Sequence, residues 1–226
     1  MKILAIDTSS ARGSVALLDD DVVLAEQSLG EGSRHGRDLV PCVDRVLGGR
    51  ADLVELLAVD AGPGSHTGIR VGITFAKTFG MQTDVPVVTV SSLDVLAANV
   101  MEHCPLCVVV DARLKQVYAA LYDAGHAKVV DDLAASPQDI AARIEGRGTA
   151  VVGDGLRRYR EVFAGVARVL DDESLWWPRA ANAGRLARAK FDREGGEDPH
   201  ALEPRYLRRP QAEVVWERRQ NASGPK

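Results

Sequence analysis

The stretch KILAIDTSSARGSVALLDDDVVLAEQSL, residues 2–29, holds three short runs rich in Val, Ile and Leu: KILAID (2–7), GSVALLD (13–19) and VVLAEQSL (22–29). The polar breaks TSSAR and DDD separate them, so the stretch predicts a three-stranded antiparallel meander. Residues 33–47 then predict a helix. Leu39, Val40, Val43, Val46 and Leu47 fall on one face, Ser33 is placed to cap it, and Gly48 and Gly49 stop it. Pro41 inside that helix predicts a kink. A short helix near DLVEL, the strand LLAVDA, a glycine-rich turn, a helix over about 65–80, the strand VPVVTVS and a helix from Ser91 or Ser92 follow. Strand and helix alternate there, which argues for parallel pairing through crossovers.

From Pro105 the pattern starts again. LCVVVDAR, QVYAALYD and AKVVDD are three more strand candidates, and SPQDIAARIEG is a helix with Ser136 as cap and Pro137 at its first position. The strand TAVVGDG, the helix LRRYREVF, the short ARVLD and the helix PRAANAGRLARAKFDRE complete the second half. Two halves in the order three strands, helix, strand, helix predict a pseudo-duplicated α/β protein. The first lobe spans 1–103, the second 104–210, and a polar tail 211–226.

The chain has 226 residues, 46% of them hydrophobic, enough for one large domain or two small lobes. A net charge of −4 gives no global positive field of the kind a stand-alone nucleic-acid binder uses. No apolar run approaches the roughly 18 residues of a membrane span, and MKILAIDTSS reads as neither anchor nor signal peptide. Three cysteines do not describe a disulfide framework, so a reducing cytoplasm is the expected home. Cys104 and Cys107 form CPLC, but the second begins a strand instead of opening a helix, which reads as two structural thiols. The five histidines, His35, His66, His103, His126 and His200, are scattered with no pair at i and i+4, so no metal site is expected.

The stretch DAGPGSHTGIRVG, residues 60–72, raises the possibility of a phosphate cradle. It fails the P-loop spacing, because Thr67 stands where the second glycine belongs, and it fails G-x-G-x-x-G, because Gly68 comes one residue late. Ser65 is also wrongly spaced for a nucleophile elbow. A tight strand-to-helix turn capped by Ser65 or Thr67 accounts for the start of the stretch. It does not account for Gly68, Gly72, Ala76 and Gly80, which recur every four residues and give the helix a stripe almost free of side chains. Glycine inside a helix costs about 1 kcal/mol relative to alanine, so the stripe implies close approach of another backbone, inside the chain or on a partner. Ile69, Val71, Ile73, Phe75 and Phe79 make the helix apolar nearly all round, which favours a partner. Asp7 and Asp111 each end the first strand of a half, where they could together hold a hydrated magnesium ion or simply serve as structural caps.

ILAIDTSS, GPGSHTGIRVG, VSSLDVLA, DARLKQVYAALY, VVGDG and EPRYLRR, in that order over residues 3–209, resemble the TsaB (YeaZ) family of bacterial tRNA threonylcarbamoyladenosine biosynthesis proteins. His66 stands where that family often has an aromatic residue. The resemblance implies an actin-like ATPase fold of two ribonuclease-H-like lobes. It also implies a non-catalytic scaffold that dimerises with the catalytic relative TsaD, with TsaE in a larger complex, for placing the threonylcarbamoyl group on adenosine 37 of tRNA. Active relatives place a glycine hairpin after the first strand's Asp, where this chain has Thr8, Ser9 and Ser10. On this reading no cofactor is expected, and Asp7 and Asp111 are at most a vestigial nucleotide or magnesium site. Val43, Gly68, Arg70, Gly72 and Ala76 are the expected partner interface, and the same face left open favours a homodimer. The competing reading is a self-sufficient Mg-ATP-dependent kinase or ATPase of the actin-like group. Direct tRNA contact would fall to Arg157, Arg158 and Arg160 or to Arg205, Arg208 and Arg209.

Overall fold

The computed structural model describes residues 1–30 and 35–208. The Ser33 cap, Arg209 and the tail lie outside the described residues. The first half runs β1 (Lys2–Asp7), β2 (Ser14–Asp19), β3 (Val22–Ser28), α1 (His35–Leu47), β4 (Leu56–Asp60), α2 (His66–Thr83), β5 (Val87–Val90) and α3 (Ser92–Ala97). The second runs β6 (Leu106–Asp111), β7 (Val117–Tyr122), β8 (Lys128–Ala135), α4 (Pro137–Ile144), β9 (Ala150–Val152), α5 (Leu156–Ala164), β10 (Arg168–Val169) and α6 (Ala180–Glu194). DLVEL forms only a 3-10 turn, Ala51–Leu53.

Each half makes one five-stranded sheet, ordered β3-β2-β1-β4-β5 and β8-β7-β6-β9-β10. The two orders are the same order. In both, the first strand pairs antiparallel with the second and parallel with the fourth. β1 is apolar without alternation because both of its faces are covered. Leu4 and Ile6 face the core beneath α1 and α2, whereas Ile3 and Ala5 face α6.

Two helices cross the expected lobe boundary. α3 lies in the first half of the sequence, yet Leu93, Leu96 and Ala97 belong to the core around β6 and β7. α6 lies in the second half, yet Ala180, Ala181 and Ala187 pack with Ala5, Ala16 and Ala58 of the first sheet. Small residues on both sides let α6 sit close: a methyl on Gly184 would lie 3.2 Å from Ala5 Cβ. Across the expected division at residues 103 and 104, each core thus takes in a helix from the other half of the sequence.

α1 runs continuously through Pro41, whose ring is exposed. Its buried arc is His35, Leu39, Cys42, Val43, Val46 and Leu47, and Val40, one residue off that arc, is 61% exposed. Cys42, Cys104 and Cys107 are free thiols, and burial pushes the Cys107 thiol up to about 12.

The glycine stripe of α2 meets the chain's own first lobe. A Cβ on Gly68 would lie 2.0 Å from Thr8 O, one on Gly72 2.6 Å from Thr8 Oγ1, and one on Gly80 2.8 Å from Val87 Cγ2. Just before the helix, a Cβ on Gly64 would lie 2.2 Å from Ser9 O. The approach is hydrogen-bonded as well as close. Ser65 N donates to Ser9 O at 2.6 Å, and Thr8 Oγ1 donates to the Gly68 carbonyl at 2.8 Å. Ser65 caps α2 by accepting from Gly68 N at 3.3 Å.

Gly68→Ala tests this contact. Overpacking against the Thr8 carbonyl at about 3 kcal/mol outweighs the helix-propensity gain of about 1 kcal/mol, so a net loss of about 2 kcal/mol is expected in urea unfolding. Gly36→Ala is the control, because its Cβ would meet only Val71 Cγ2 at 3.7 Å. It is expected to be neutral or stabilising.

Candidate functional site

Four aspartates mark the C-terminal ends of the central parallel strands. β1 and β4 pair with Ile6 opposite Val59, which sets Asp7 beside Asp60. Asp7 Oδ1 accepts from Ser9 N at 2.8 Å and Ser9 Oγ at 2.7 Å. Asp60 Oδ1 accepts from Gly62 N at 2.8 Å and Ser92 Oγ at 2.5 Å. Both residues are completely buried, and the Oδ2 of each has no hydrogen-bond partner among the described residues.

Two adjacent carboxylates shielded from water do not both ionise. Burial, followed by the charge of Asp60, pushes Asp7 well above the usual carboxylate range. Burial also raises Asp60, against the hydrogen bonds from Ser92, Gly62 and Asp7 that hold it down. The hydrogen bonds around the pair join the ends of two strands to the Thr8–Ser9 loop, the GPG turn and the start of α3.

The second lobe repeats the pair with a different exposure. β6 and β9 pair with Val108 opposite Val152, and Asp154 Oδ1 accepts from Asp111 N at 3.0 Å. Burial pushes Asp154 up to about 6. Both acids line a cleft of about 590 Å³ between the lobes, together with Ser9, Ser10, His66, Arg113, Tyr118 and Tyr206. Asp7 is not in its walls. Of the two aspartates expected as a joint magnesium site, Asp7 sits beside Asp60 in the first sheet and Asp111 beside Asp154 in the second. Among the described residues no group of three or more His, Cys, Asp or Glu is placed to hold a metal ion.

The expected interface residues separate in the same way. Gly68, Gly72 and Ala76 are buried against the first lobe, and Val43 is 6% exposed in the same core. The space left by Gly68 is filled by the Thr8 carbonyl and that left by Gly72 by the Thr8 hydroxyl and Val59. Arg70 alone of the five is exposed, and its Nε donates to Tyr206 Oη at 2.7 Å. His66 stacks on Tyr206 with ring centroids 4.5 Å apart and 16° between planes. The cationic cluster on α5 is paired: Arg157 with Glu173 and Arg160 with Asp171.

Asp60 and Asp154 were legible in principle, since KILAID, LLAVD, LCVVVD and VVGD all end a strand-like run in aspartate. Tyr206 was not, because nothing local tells that residue 206 returns to His66.

The raised pKa of Asp7 makes stability pH-dependent with a defined sign. Folded Asp7 keeps a proton that the unfolded chain releases above its ordinary value of 3.8, so the folded state binds more protons there. Stability therefore falls as pH rises from that value through the raised pKa, by up to about 1.4 kcal/mol per pH unit for one proton. Asp154 adds the same sign between 3.8 and about 6. Asp7→Asn keeps a donor toward Asp60 and removes one proton from the balance. Denaturant titrations at about pH 5 and about pH 8 should show the parent chain losing stability relative to Asp7→Asn as pH rises. A constant difference would mean that Asp7 is ionised in the fold.

Among the described residues no helix is long and apolar enough to cross a membrane. The family model of TsaD, tRNA N6-adenosine threonylcarbamoyltransferase, matches residues 31–157. The chain is 32% identical to the tRNA threonylcarbamoyladenosine biosynthesis protein TsaB of Bacillus subtilis, over 96% of this chain and 98% of that one. The solved structure of YeaZ from Pseudomonas aeruginosa superposes with a TM-score of 0.81 at 26% identity, covering 91% of this chain and 99% of that one. A ROK family protein from Streptococcus pneumoniae, at 11% identity and a TM-score of 0.50 over 85% of this chain and all of that one, shares the fold alone. The duplicated sheets are thus those of the actin-like ATPase fold, and the chain belongs to the TsaB (YeaZ) family of tRNA threonylcarbamoyladenosine biosynthesis proteins.

Proposed function

We propose that this chain acts in the cytoplasm as a non-catalytic scaffold and activator of tRNA threonylcarbamoyladenosine formation. In this reading it binds the catalytic relative TsaD as a heterodimer, and TsaE joins a larger complex. It pairs with a copy of itself when alone, and it meets tRNA mainly through the assembly. The observation that carries the non-catalytic part is the sealed end of β1. Asp7 is completely buried, its Oδ1 is taken by Ser9, and burial raises its pKa well above the usual carboxylate range. The neighbouring Thr8–Ser9 backbone lies against Gly64 and Gly68. Ser9 lines the cleft and occupies Asp7, so a nucleotide phosphate or hydrated magnesium ion seated in the cleft would meet Ser9 and not the Asp7 carboxylate.

The outer face of α1 and α2 supports the docking part. Gly36 of α1 lies beside Val71 of α2, Val40 follows one turn on at 61% exposure, and Phe75 follows Val71 half-buried. Exposed apolar side chains on adjacent helices fit a helix-to-helix interface. Val40, Val71 and Phe75 form its centre in this reading, with Arg70 at the rim.

Val40→Asp places a charge in that face without touching the core. The expected result is a loss of at least about 100-fold in affinity for TsaD, or about 2.7 kcal/mol, with the melting temperature held and threonylcarbamoyl transfer by the mixture lost in step. Unchanged affinity would remove the interface. Calorimetry of the isolated chain with Mg-ATP should give no binding heat; tight binding abolished by Asp7→Asn would favour the ATPase reading instead.

A further inference from the structure

After α6 the chain turns back across the mouth of the cleft, and its contacts alternate between the lobes. Leu202 is 2% exposed in the first lobe's core. Arg205 N donates to Ala61 O at 2.7 Å in the first lobe, while its guanidinium Nη1 donates to Asp132 Oδ2 at 2.7 Å in the second. Tyr206 returns to the first lobe, stacked on His66 and bonded by Arg70. Arg208 Nη1 then donates to the carbonyls of Ala112 at 2.7 Å and Arg113 at 3.3 Å in the second.

The element Arg208 holds is unusual. Arg113, Leu114 and Lys115, between β6 and β7, take φ of 62°, 49° and 61°, three consecutive left-handed residues with no glycine among them. L side chains disfavour that region, and a run of three needs support from its surroundings. Leu114 is 58% exposed and provides no packing. The turn's own bonds run from Ala112 N to Gln116 O and from Gln116 N to Arg113 O, so the Ala112 carbonyl is left to Arg208.

We propose that residues 202–208 are a strap that fixes the lobes relative to one another and holds the β6–β7 turn in its left-handed form, with the His66 ring as the platform on which the strap docks. This gives His66 a part independent of any partner. A flat ring at the first position of α2 carries Tyr206, and any aromatic residue there serves the same contact. The strap also closes an electrostatic circuit. Asp132, with its side chain only 3% exposed, accepts from Arg205, Lys128 and Ser91, so one buried carboxylate joins the strap, β8 and the start of α3.

Amide hydrogen exchange on the full chain tests the proposal. In Arg208→Ala, exchange at residues 112–116 is expected to rise at least tenfold while the amides of β6 and β9 keep their rates. In His66→Ala, exchange at residues 203–208 is expected to rise likewise, and His66→Phe is expected to restore it to the parent rate. Spin labels at the exposed positions 81 and 129, one on each lobe, should give a narrow distance distribution that broadens in Arg205→Ala. Unchanged exchange in the turn, equal strap exchange in His66→Ala and His66→Phe, or an unchanged distribution each overturns the strap. So does a rise that is as large in β6 and β9 as in the turn, since that would mark residues 202–208 as an ordinary contribution to global stability.

Discussion

The first lobe depends on two backbones that touch. Gly68 of α2 and Gly64 before it approach the Thr8–Ser9 main chain so closely that a methyl group on either would overlap a carbonyl oxygen. That approach sets where α2 lies on the sheet. It also fixes the loop after β1, because Ser65 N and Thr8 Oγ1 lock the two segments with hydrogen bonds. With the loop held there, Ser9 is in place to occupy Asp7, and Asp7 has only Asp60 left to turn to. Strand register sets Asp7 beside Asp60, and the glycine packing holds the Ser9 that occupies Asp7 Oδ1.

The two lobes share strand order and aspartates at equivalent strand ends, yet they differ in what those aspartates meet. In the first lobe both are completely sealed, and burial raises the pKa of each. In the second, Asp111 keeps 15% side-chain exposure beside Arg113, and Asp154 faces the cleft with its pKa raised to about 6. The exchanged helices α3 and α6 bind these unlike halves into one body. Asn182 Nδ2 of α6 donates to Asn99 Oδ1 at 2.8 Å, and Asn99 Nδ2 donates to Trp177 O at 2.8 Å, so the crossing point is satisfied by side-chain amides. Separate folding of either half is not expected from such packing, because each core contains a helix from the other.

Strand and helix order was legible because both lobes follow local rules: apolar runs ended by polar turns, a cap at Ser136, and helix starts that the sequence left between Ser65 and Thr67 and between Ser91 and Ser92, where the structure caps with Ser65 and Ser91. The repeat was visible for the same reason. Helix exchange was not, since α3 and α6 carry nothing in their own residues that names the sheet they cover. The carboxyl pairing was half legible. Strand-end aspartates can be read from KILAID and LCVVVD, but which two are neighbours depends on parallel register, and register is a property of the assembled sheet. Val40 was misplaced for a simpler reason: 100° of rotation from Leu39 carries it off the buried arc, and valine is apolar on either side of a helix.

The glycine spacing of α2 was informative about distance and silent about identity. A side-chain-free stripe requires that a backbone come near; it does not state whose. In this chain the neighbour is Thr8 and Ser9, and that assignment changes what the rest of the helix can do. Ile69 and Ile73 are buried in the core, and the stripe is covered by the strand end. The side toward solvent carries Thr67, Arg70, Thr74 and Thr78, with Val71 and Phe75 half-buried along its edge, so the apolar surface the helix leaves uncovered is a margin and not a full face.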